Sequence, residues 1–302
     1  MNDMPVPHYP EFAPLALEHK SSLHPRLSLT ADGVSEFTFS CLFLFRHRYH
    51  YQISQGGSNG GFIISGIQPQ TASDTPKKFF MTPCEAPDRS IIESLFETHD
   101  YWKNLSESVL EHSRQELDDW GIVLSEDRDN LDYLHLRAEL AELKGKKYHK
   151  KRNLISQFLY TYTYEQRTMT RDLVPQAMEI LDLWRQDKGE DGDYWAARES
   201  LELFDSLTLR GYIYFADGKP VGYCLGESIA KGRMFAIHFE KGIDRYKGIY
   251  QFINQAFAEA LPNFFTYINR EQDMGDEGLR QAKMTYRPSG FVKKYKAKYK
   301  AT

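Results

Sequence analysis

The sequence predicts an α+β fold, a mixed arrangement of helices and strands that occurs twice along the chain. Apolar residues alternate with a period of two in some segments, which is typical of strands, and recur every three or four positions in others, which is typical of helices. In the second half, two helices precede a β hairpin, a strand, a helix and a last strand. The first half contains the same kinds of element in a looser form. We therefore expect a duplicated unit, with residues 1–160 in the first copy and 161–302 in the second.

Composition narrows the class of protein. The chain has 302 residues, of which 41% are hydrophobic and 26% charged, as in globular proteins. Its net charge of -4 argues against non-specific coating of nucleic acid, although a local basic patch remains compatible with it. Cys41, Cys84 and Cys224 are widely spaced, which favours a reducing compartment over a disulfide framework or a zinc site.

No apolar run approaches the roughly 18–20 residues that a membrane span requires. The first 14 residues contain acids and prolines rather than an apolar core, so they do not resemble a signal peptide. These features predict a cytoplasmic protein without a metal site, which would reach any lipid from the membrane surface.

The first half is predicted to contain strands, a hairpin and two helices. Residues Phe37–Ile53 show a period of two with one aromatic face, which predicts a strand. The turn Gln55–Gly61 and the strand Phe62–Ile67 predict a hairpin. The turn lacks the Lys-Ser/Thr pair and the helix of a phosphate-binding loop. A helix is predicted over Ile91–Ser113.

A second apolar stripe, at Leu136, Leu140 and Leu143, predicts another helix, and Gly145 suits its C-terminal cap. Residues Leu154–Thr163 are compatible with either a helix or a strand. We expect the Lys- and Tyr-rich tail, Lys293–Lys300, to be a solvated terminus.

The second half has sharper boundaries. Helices are predicted over 171–186, 194–206 and 248–261, and strands over 209–215, 220–228, 233–240 and 264–268. An Asp-Gly turn joins the first two strands as a tight hairpin. The sheet of each copy should therefore be mostly antiparallel and flanked by helices.

A dense polar block follows the predicted strand 264–268 and is the strongest indication of a site. Polar groups just past a strand's C-terminal end mark the ligand sites of open α/β sheets. Glu271 and Asp273 are two residues apart and would point the same way if the segment were extended. Arg280 and Lys283 are three apart, so they share a helix face. A structural ion-pair network is the alternative interpretation.

A basic loop precedes the second copy, with five cations in seven residues: Lys146, Lys147, Lys150, Lys151 and Arg152. Such a cluster attracts phosphate and makes binding dependent on salt. An RNA acceptor stem or an anionic lipid headgroup would suit it. The alternative is a solvated loop after a helix C-terminus, where cations are also favourable.

Three groups of sequence strings resemble signatures of a known family: Leu143–Asn153, His238–Gly242 with Lys247–Tyr250, and Ile268–Gly275 with Gly278–Lys283. From about the first hairpin onward, the chain resembles the phosphatidylglycerol lysyltransferase C-terminal-like family. The order of elements resembles the GNAT (acyl-CoA N-acyltransferase) fold. The resemblance implies two tandem GNAT-like units and a relationship to enzymes that move an aminoacyl group from aminoacyl-tRNA to a lipid or a peptidoglycan peptide.

The resemblance also allows a test for coenzyme A. GNAT enzymes bind the CoA pyrophosphate on a loop of the form Arg/Gln-x-x-Gly-x-Gly/Ala that opens a helix. Arg245 and Gly248 match this pattern, and Lys247 would add a point charge. Tyr250 does not match, because its bulky side chain stands where the backbone must approach phosphate. CoA is therefore the less expected cofactor.

Candidate roles follow from residue chemistry. A carboxylate can accept a proton from an attacking amine or hydroxyl, and Asp273 and Glu240 are the first base candidates, followed by Glu271. Cations can stabilise the oxyanion of an attacked ester or thioester. The expected anion-binding and orienting residues are Arg270, Arg280, Lys283 and Asn269. His238, Cys224 and Tyr286 are expected to be packed residues rather than catalysts.

Three functions remain open at this stage. The first is an acyltransferase whose donor is aminoacyl-tRNA, with direct attack by a lipid or peptide acceptor, since no activated Cys or Ser arrangement is present. The second is a CoA-dependent N-acyltransferase. The third is a non-catalytic module that holds RNA or an anionic lipid. We expect the second copy to carry the active cleft and the first to shape the acceptor side.

Overall fold

The computed structural model describes residues 4–56, 61–69, 75–83, 85–189 and 191–300. The helices are α1 Lys20–Leu27, α2 Phe39–Leu44, α3 Arg46–Tyr49, α4 Arg89–Thr98, α5 Glu107–Asp119, α6 Arg137–Glu142, α7 His149–Thr161, α8 Val174–Lys188, α9 Tyr194–Glu202, α10 Ile249–Ala260 and α11 Glu277–Met284. The strands are β1 Ala13–Pro14, β2 Gln52–Gly56, β3 Gly61–Ile67, β4 Lys78–Met81, β5 Tyr101–Ser106, β6 Ile122–Glu126, β7 Asp132–Leu136, β8 Tyr164–Thr168, β9 Arg210–Ala216, β10 Lys219–Ile229, β11 Met234–Gly242, β12 Tyr267–Asn269, β13 Gly290–Val292 and β14 Lys294–Tyr299.

The chain divides into two compact units. Unit 1 comprises Met1–Asp132, Gln272–Gly275 and Phe291–Thr302, and unit 2 comprises Tyr133–Glu271 and Asp276–Gly290. The boundary predicted at residue 160 falls within unit 2, at the end of α7. Helices α6 and α7 therefore pack with unit 2, and the last strand of the chain packs with unit 1.

Among the described residues, the strands form two seven-stranded mixed sheets. The first has the order β1-β2-β3-β4-β5-β14-β6, and the second, read from its other edge, has the order β8-β9-β10-β11-β12-β7-β13. In each sheet the fourth and fifth strands pair in parallel, and a helix connects them. Each fifth strand then pairs antiparallel with a strand from elsewhere in the chain, β14 in one sheet and β7 in the other. This correspondence confirms the predicted duplication.

Each sheet buries an apolar face against helices. In unit 1, Trp102 and Leu105 of β5 pack with Ile92 and Leu95 of α4. In unit 2, the core between the sheet and helices α6, α7 and α10 is larger and aromatic, and includes Phe158, stacked on Phe252 at 4.7 Å between ring centroids. Such contiguous burial of apolar area is the main stabilising contribution to each unit.

The segment Phe37–Ile53 corrects the sequence-based prediction. It forms α2, α3 and the start of β2 rather than one strand. Thr38 caps α2 by accepting a hydrogen bond from the Cys41 backbone N–H, and all of α2 is buried. A fully buried helix has no polar face, so its aromatic residues imitated the alternation of a strand. The β2–β3 hairpin is present, and its predicted tip, residues 57–60, lies outside the described residues, as does Cys84.

Three further boundaries differ. The helix predicted over Ile91–Ser113 is two helices separated by β5. Helix α6 ends at Glu142 and its C-terminal cap is Leu143, which adopts the left-handed conformation at a φ of 46°, rather than Gly145. The strand predicted over 264–268 is the shorter β12, whereas the ambiguous segment 154–163 is helical, within α7.

The tail predicted to be solvated is an inner strand of the first sheet, because β14 pairs with both β5 and β6. Lys294 is fully buried and its Nζ donates to Asp132 at 2.7 Å and to Glu36. A buried ammonium is tolerated when carboxylates compensate it, and both partners here are distant in sequence. Within the described residues, no helix is long and apolar enough to cross a membrane.

Candidate active site in unit 2

The site lies where β11 and β12 separate. These strands pair in parallel only from Met234↔Tyr267 to Ala236↔Asn269, and β11 then continues without β12 to Gly242. A bulge relative to β10 interrupts the β11 ladder at this point. Bulges bend and twist a strand, which accounts for the separation. Polar side chains lie at this point, with Glu240 on β11 and Arg270 directly after β12.

Glu240 and Arg270 form an ion pair across the separation. Nη2 of Arg270 lies 2.9 Å from each carboxylate oxygen of Glu240, and the side chains are only 15% and 11% exposed respectively. Burial alone would lower the pKa of Arg270, but the Glu240 carboxylate more than offsets this effect and raises it. Cys224 lies opposite Glu240 on β10, and the Tyr286 ring lies 5.5 Å from the guanidinium.

His238 lies between two carboxylates. Its Nε2 is 3.0 Å from Glu227 and its Nδ1 is 2.7 Å from Glu271. Burial lowers the pKa of His238, yet the hydrogen bonds with both carboxylates outweigh it and raise the pKa to about 10. The imidazole is therefore protonated, and it is a packed, hydrogen-bonded residue, as its position on an apolar strand indicated. Glu271, one of the predicted bases, is occupied by this contact.

The turn after β12 is held by its own polar groups. Asn269 is fully buried and its Oδ1 accepts from the Glu271 N–H at 2.7 Å. Glu271 has a φ of 57°, so the segment is not extended here. The Nζ of Lys283 donates to the carbonyl oxygens of Arg270 at 2.6 Å and Glu271 at 3.1 Å. Arg280 lies half-buried one turn earlier on α11, which places both predicted cations on one helix.

Asp273 does not join this group, because it belongs to unit 1. It is fully buried, its Oδ2 lies 3.2 Å from Nη1 of Arg128, and its Oδ1 accepts from the Gly275 N–H at 2.9 Å. The backbone between Glu271 and Asp273 therefore sends the two carboxylates into different units. In this setting, Asp273 has the contacts of a structural ion pair.

Two further residues of unit 2 carry hydrogen-bonding atoms without partners among the described residues. His135 of β7 lies opposite Ile268, and both of its ring nitrogens are buried and unpartnered. Burial, together with Arg270 and Lys283, lowers its pKa to about 3, so the ring is neutral. The buried hydroxyl of Tyr214 also has no partner, and nearby Glu240 adds to burial in raising its pKa. Unsatisfied buried groups of this kind are typical of ligand or water sites.

Sequence reasoning did not identify His135 or Tyr214. Each lies between apolar neighbours on its strand, Leu134 and Leu136 for His135 and Ile213 and Phe215 for Tyr214, which is the usual pattern of a packed residue. Only their position beside the Glu240–Arg270 pair distinguishes them, and that position depends on strand order.

The cations of the basic loop make different contacts. Nη1 of Arg152 donates to the carbonyl oxygens of Leu143 and Gly145 and so caps the end of α6. Lys147 pairs with Glu139 at 2.9 Å. The Nζ of Lys151 lies 4.1 Å from the Tyr286 ring centroid, and burial and Arg270 lower its pKa. The two remaining cations, Lys146 and Lys150, are exposed.

Packing contacts determine the conformation of residues 245–250, the segment compared above with a CoA-binding loop. Gly248 has a φ of 91°, and a Cβ there would lie 2.3 Å from the Leu154 carbonyl oxygen. The hydroxyl of Tyr250 donates to the Gly242 carbonyl oxygen at 2.9 Å, so its side chain spans the start of α10 and the end of β11. Arg245 and Lys247 are exposed. The close approach to Leu154 accounts for Gly248, and the hydrogen bond to Gly242 holds the Tyr250 side chain against the end of β11.

Comparison with solved structures supports the fold. A conserved protein of unknown function from Bacteroides thetaiotaomicron is 28% identical, with a TM-score of 0.82, over 96% of this chain and 99% of that one. The C-terminal domain of a putative lysylphosphatidylglycerol synthetase from Agrobacterium fabrum is 15% identical, with a TM-score of 0.60, over 94% and 92%. A tandem GNAT protein from the clavulanic acid pathway is 10% identical, with a TM-score of 0.50, over 97% and 99%. The protein therefore has a tandem GNAT-like fold.

Among sequence relatives, an uncharacterized protein of Mycoplasmoides gallisepticum is 22% identical over 174 residues, which is 55% of this chain. The chain spans about half the length of that curated relative, at 56%. Residues 27–298 match the family described as phosphatidylglycerol lysyltransferase, C-terminal. Since the match covers most of the chain, this protein belongs to the phosphatidylglycerol lysyltransferase C-terminal family.

Proposed function

We propose that this protein is an aminoacyltransferase that takes an aminoacyl group from aminoacyl-tRNA and moves it to an amine or hydroxyl of a lipid headgroup or a peptide. The observation that carries the proposal is the buried Glu240–Arg270 pair where β11 and β12 separate, in a sheet that also holds the unsatisfied buried groups of His135 on β7 and Tyr214 on β9. Family membership supports the reaction class. Because aminoacyl-tRNA is made inside the cell, we propose that the protein acts there.

The proposed reaction is direct attack. The acceptor nitrogen or oxygen forms a bond to the ester carbonyl carbon, and the ester bond to the tRNA terminal hydroxyl breaks. Glu240 accepts the proton of the attacking group and returns it to the leaving oxygen of the tRNA as the ester bond breaks. Arg270 stabilises the oxyanion that forms in between. A covalent intermediate on Cys224 is disfavoured, because complete burial raises the pKa of its thiol well above its usual range.

Unit 2 also offers a surface suited to RNA. Exposed Lys146 and Lys150 lie at the start of α7, and exposed Arg245 and Lys247 belong to a segment that packs on the same helix. Tyr160 of α7 is 94% exposed. Cations that track phosphates and aromatic rings that stack on bases are the usual components of a single-stranded RNA site. We propose that the acceptor end of tRNA binds along α7.

The other two functions remain as outcomes of the same assays. A CoA-dependent transferase is the second candidate, since Arg245 and Gly248 match the CoA loop, although the Tyr250 contact opposes it. A non-catalytic module that binds RNA or anionic lipid would share the α7 surface and lack turnover. Saturable binding of acetyl-CoA would favour the second candidate over the first.

The deciding experiment measures transfer from a pool of radiolabelled aminoacyl-tRNAs to phosphatidylglycerol vesicles and, separately, to a peptidoglycan-type pentapeptide. Glu240→Gln should lower the rate by about 100-fold or more, the usual contribution of a general base. The control is Glu165→Gln, an exposed acid paired with Arg167 at 2.7 Å, which should leave the rate unchanged.

A stability cycle separates catalysis from folding. Glu240→Gln leaves Arg270 charged and buried, so the free energy of unfolding should fall by about 3–5 kcal/mol. The double variant Glu240→Gln/Arg270→Met removes both charges and should recover most of that stability while staying inactive. Activity in the double variant, or transfer from acetyl-CoA in place of aminoacyl-tRNA, would contradict the proposal.

A further inference from the structure

The pairing of the two parallel strands stops at corresponding places in both units. In unit 1 the last parallel pair of β4 and β5 is Phe80↔Trp102, and in unit 2 the last pair of β11 and β12 is Ala236↔Asn269. In both sheets the strands belong to the fourth and fifth positions of the same order. Unit 1 therefore contains a structural counterpart of the Glu240–Arg270 site.

The backbone correspondence extends beyond the last pair. Lys103 is the next residue in unit 1, and Arg270 is the next residue in unit 2. Each is followed by a residue in the left-handed conformation, Asn104 at a φ of 58° and Glu271 at a φ of 57°. Left-handed non-glycine residues are uncommon, so their coincidence at this position indicates a feature shared by both copies.

Lys103 is compensated differently from Arg270. It is 4% exposed, and its Nζ lies 5.3 Å from the Tyr49 ring centroid and 5.0 Å from that of Phe79. No other residue in the described part of the chain donates to, accepts from or pairs with its ammonium group. A buried ammonium without a hydrogen-bonding partner is costly, and burial accordingly lowers the pKa of Lys103.

Neutral hydrogen-bonding groups also follow the last parallel pair on each of these two strands. The Thr82 hydroxyl follows β4, and Asn104, whose Nδ2 lies 3.4 Å from Sδ of Met81, follows Lys103 on β5. The Thr82 Oγ1 and the Asn104 Oδ1 are both buried without partners among the described residues, as is Oε1 of Glu36. Donors and acceptors are therefore both unsatisfied, which a bound molecule would correct.

The surrounding charges indicate which kind of molecule fits. Glu36 and Asp132 contact Lys294, and Asp127 lies 3.0 Å from Lys296. The formal charges of these groups, of which Lys296 is 34% exposed, sum to zero over Lys103, Lys294, Lys296, Glu36, Asp127 and Asp132. An anionic ligand would add a charge that nothing balances. A neutral ligand with hydroxyl groups would accept from Lys103 and donate to Asn104 and Glu36.

We propose that the place where β4 and β5 separate is a second small-molecule site, which binds a neutral polyhydroxyl compound through Lys103, Thr82 and Asn104. This binding site is separate from the transfer reaction proposed for unit 2, and its existence does not depend on that reaction. It is a binding site in unit 1, with no assigned step in the chemistry of unit 2.

The test is titration calorimetry of the full chain with glycerol and myo-inositol, and with glycerol 3-phosphate as the charged comparator. At least one neutral polyol should bind saturably, and more tightly than glycerol 3-phosphate. Lys103→Met and Thr82→Val should each weaken binding at least tenfold. Lys298→Met, an exposed lysine of β14, is the matched control and should leave binding unchanged.

Thermal unfolding shows whether each variant is folded, so that a loss of polyol binding can be assigned to the site. Lys103→Met removes an unpaired buried charge, so its unfolding midpoint should equal or exceed that of the parent protein. If it does not fold, the smaller Thr82→Val change decides the question. Tighter binding of glycerol 3-phosphate, unchanged polyol binding in the folded variants, or no saturable polyol binding would overturn the proposal. Since these are binding measurements, their failure is distinguishable from loss of aminoacyl transfer.

Discussion

At the residue scale, the chemistry of unit 2 depends on how each buried charge is compensated. Glu240 and Arg270 form a neutral pair, whereas His238 is one cation between two carboxylates, Glu227 and Glu271. Arg270 keeps its positive charge over the whole accessible pH range because a guanidinium does not lose its proton. The charge balance among His238, Glu227 and Glu271 depends on the proton that the His238 imidazole holds. Stability should therefore respond to pH through His238.

We predict that stability falls as pH rises from 6 to 9. The pKa of His238 is about 10 in the folded protein and near 6.5 when unfolded, so the folded state holds its proton more tightly. This stabilisation is complete below about pH 6.5 and is lost as pH rises toward 10. Between pH 6 and pH 9, the free energy of unfolding should therefore fall by about 3 kcal/mol. Urea unfolding at pH 6 and pH 9 measures it.

The matched controls for this prediction are two histidine variants. His238→Gln should flatten the change in unfolding free energy between the two pH values, whereas His47→Gln, an exposed histidine, should preserve it. An equal pH response in the His238→Gln variant would show that other groups cause the loss of stability.

At the element scale, β14 and the start of α10 show how local segments are shaped by remote ones. The Lys-Tyr alternation of the tail is the period of a strand, with Lys294 and Ala297 buried and Lys298 exposed. A lysine-rich strand is normally exposed, which is why a solvated tail was predicted. The prediction was wrong because distant carboxylates compensate the buried ammonium of Lys294. The partners, Glu36 and Asp132, come from segments that no local pattern connects to the C-terminus.

Lys294→Met should lower the free energy of unfolding by about 3–5 kcal/mol, because it leaves two buried carboxylates without their cation. Lys298→Met, on the same strand, should change it by less than about 0.5 kcal/mol. Denaturant unfolding of both variants makes the comparison. Equal effects of the two substitutions would mean that the buried ion triad contributes nothing specific.

The backbone conformation at the start of α10 depends on the close approach of Gly248 to the Leu154 carbonyl oxygen rather than on a ligand. Gly248→Ala should destabilise the protein by more than about 2 kcal/mol, because its Cβ would meet the Leu154 carbonyl and its φ is positive. Gly121→Ala also has a positive φ but nothing within 4 Å, so it should cost only about 1 kcal/mol. Thermal unfolding of both variants separates the steric contribution from the backbone contribution, and equal losses would exclude a packing role for Gly248.

At the scale of the whole molecule, the fold is one sheet order used twice. Each copy keeps the parallel pair of its fourth and fifth strands and the separation that follows it. What differs is the chemistry where that pairing stops: Arg270 in unit 2 is hydrogen-bonded to a carboxylate, whereas the Lys103 ammonium in unit 1 lies against the rings of Tyr49 and Phe79. The two copies therefore present similar backbones and different side chains at the same position of the sheet.

Binding of RNA along α7 should be strongly dependent on salt. Each lysine that contacts a phosphate adds about 0.7 to the slope of log affinity against log salt for single strands, so Lys146→Gln and Lys150→Gln should each reduce the slope by about that amount. Lys231→Gln, an exposed lysine in the β10–β11 turn, is the control. Fluorescence anisotropy with a labelled acceptor-stem RNA measures the slopes, and unchanged slopes would move the RNA site away from α7.

The sequence by itself determined the mixed fold, its duplication, the element order of the second half and the polar block after β12. These features depend on local periodicity and on turn residues, which neighbouring positions encode. It also carried the family resemblance and the solvent-exposed cations of the basic loop.

Only the tertiary structure decided which charges meet. The exchange of β7 and β14 between the sheets, the different partners of Glu271 and Asp273, and the unsatisfied nitrogens of His135 all depend on strand order. Pairing between residues more than 100 positions apart leaves no periodic signal in either segment. The physical reason is that an ion pair requires proximity in space, and in this protein long-range strand pairing creates that proximity.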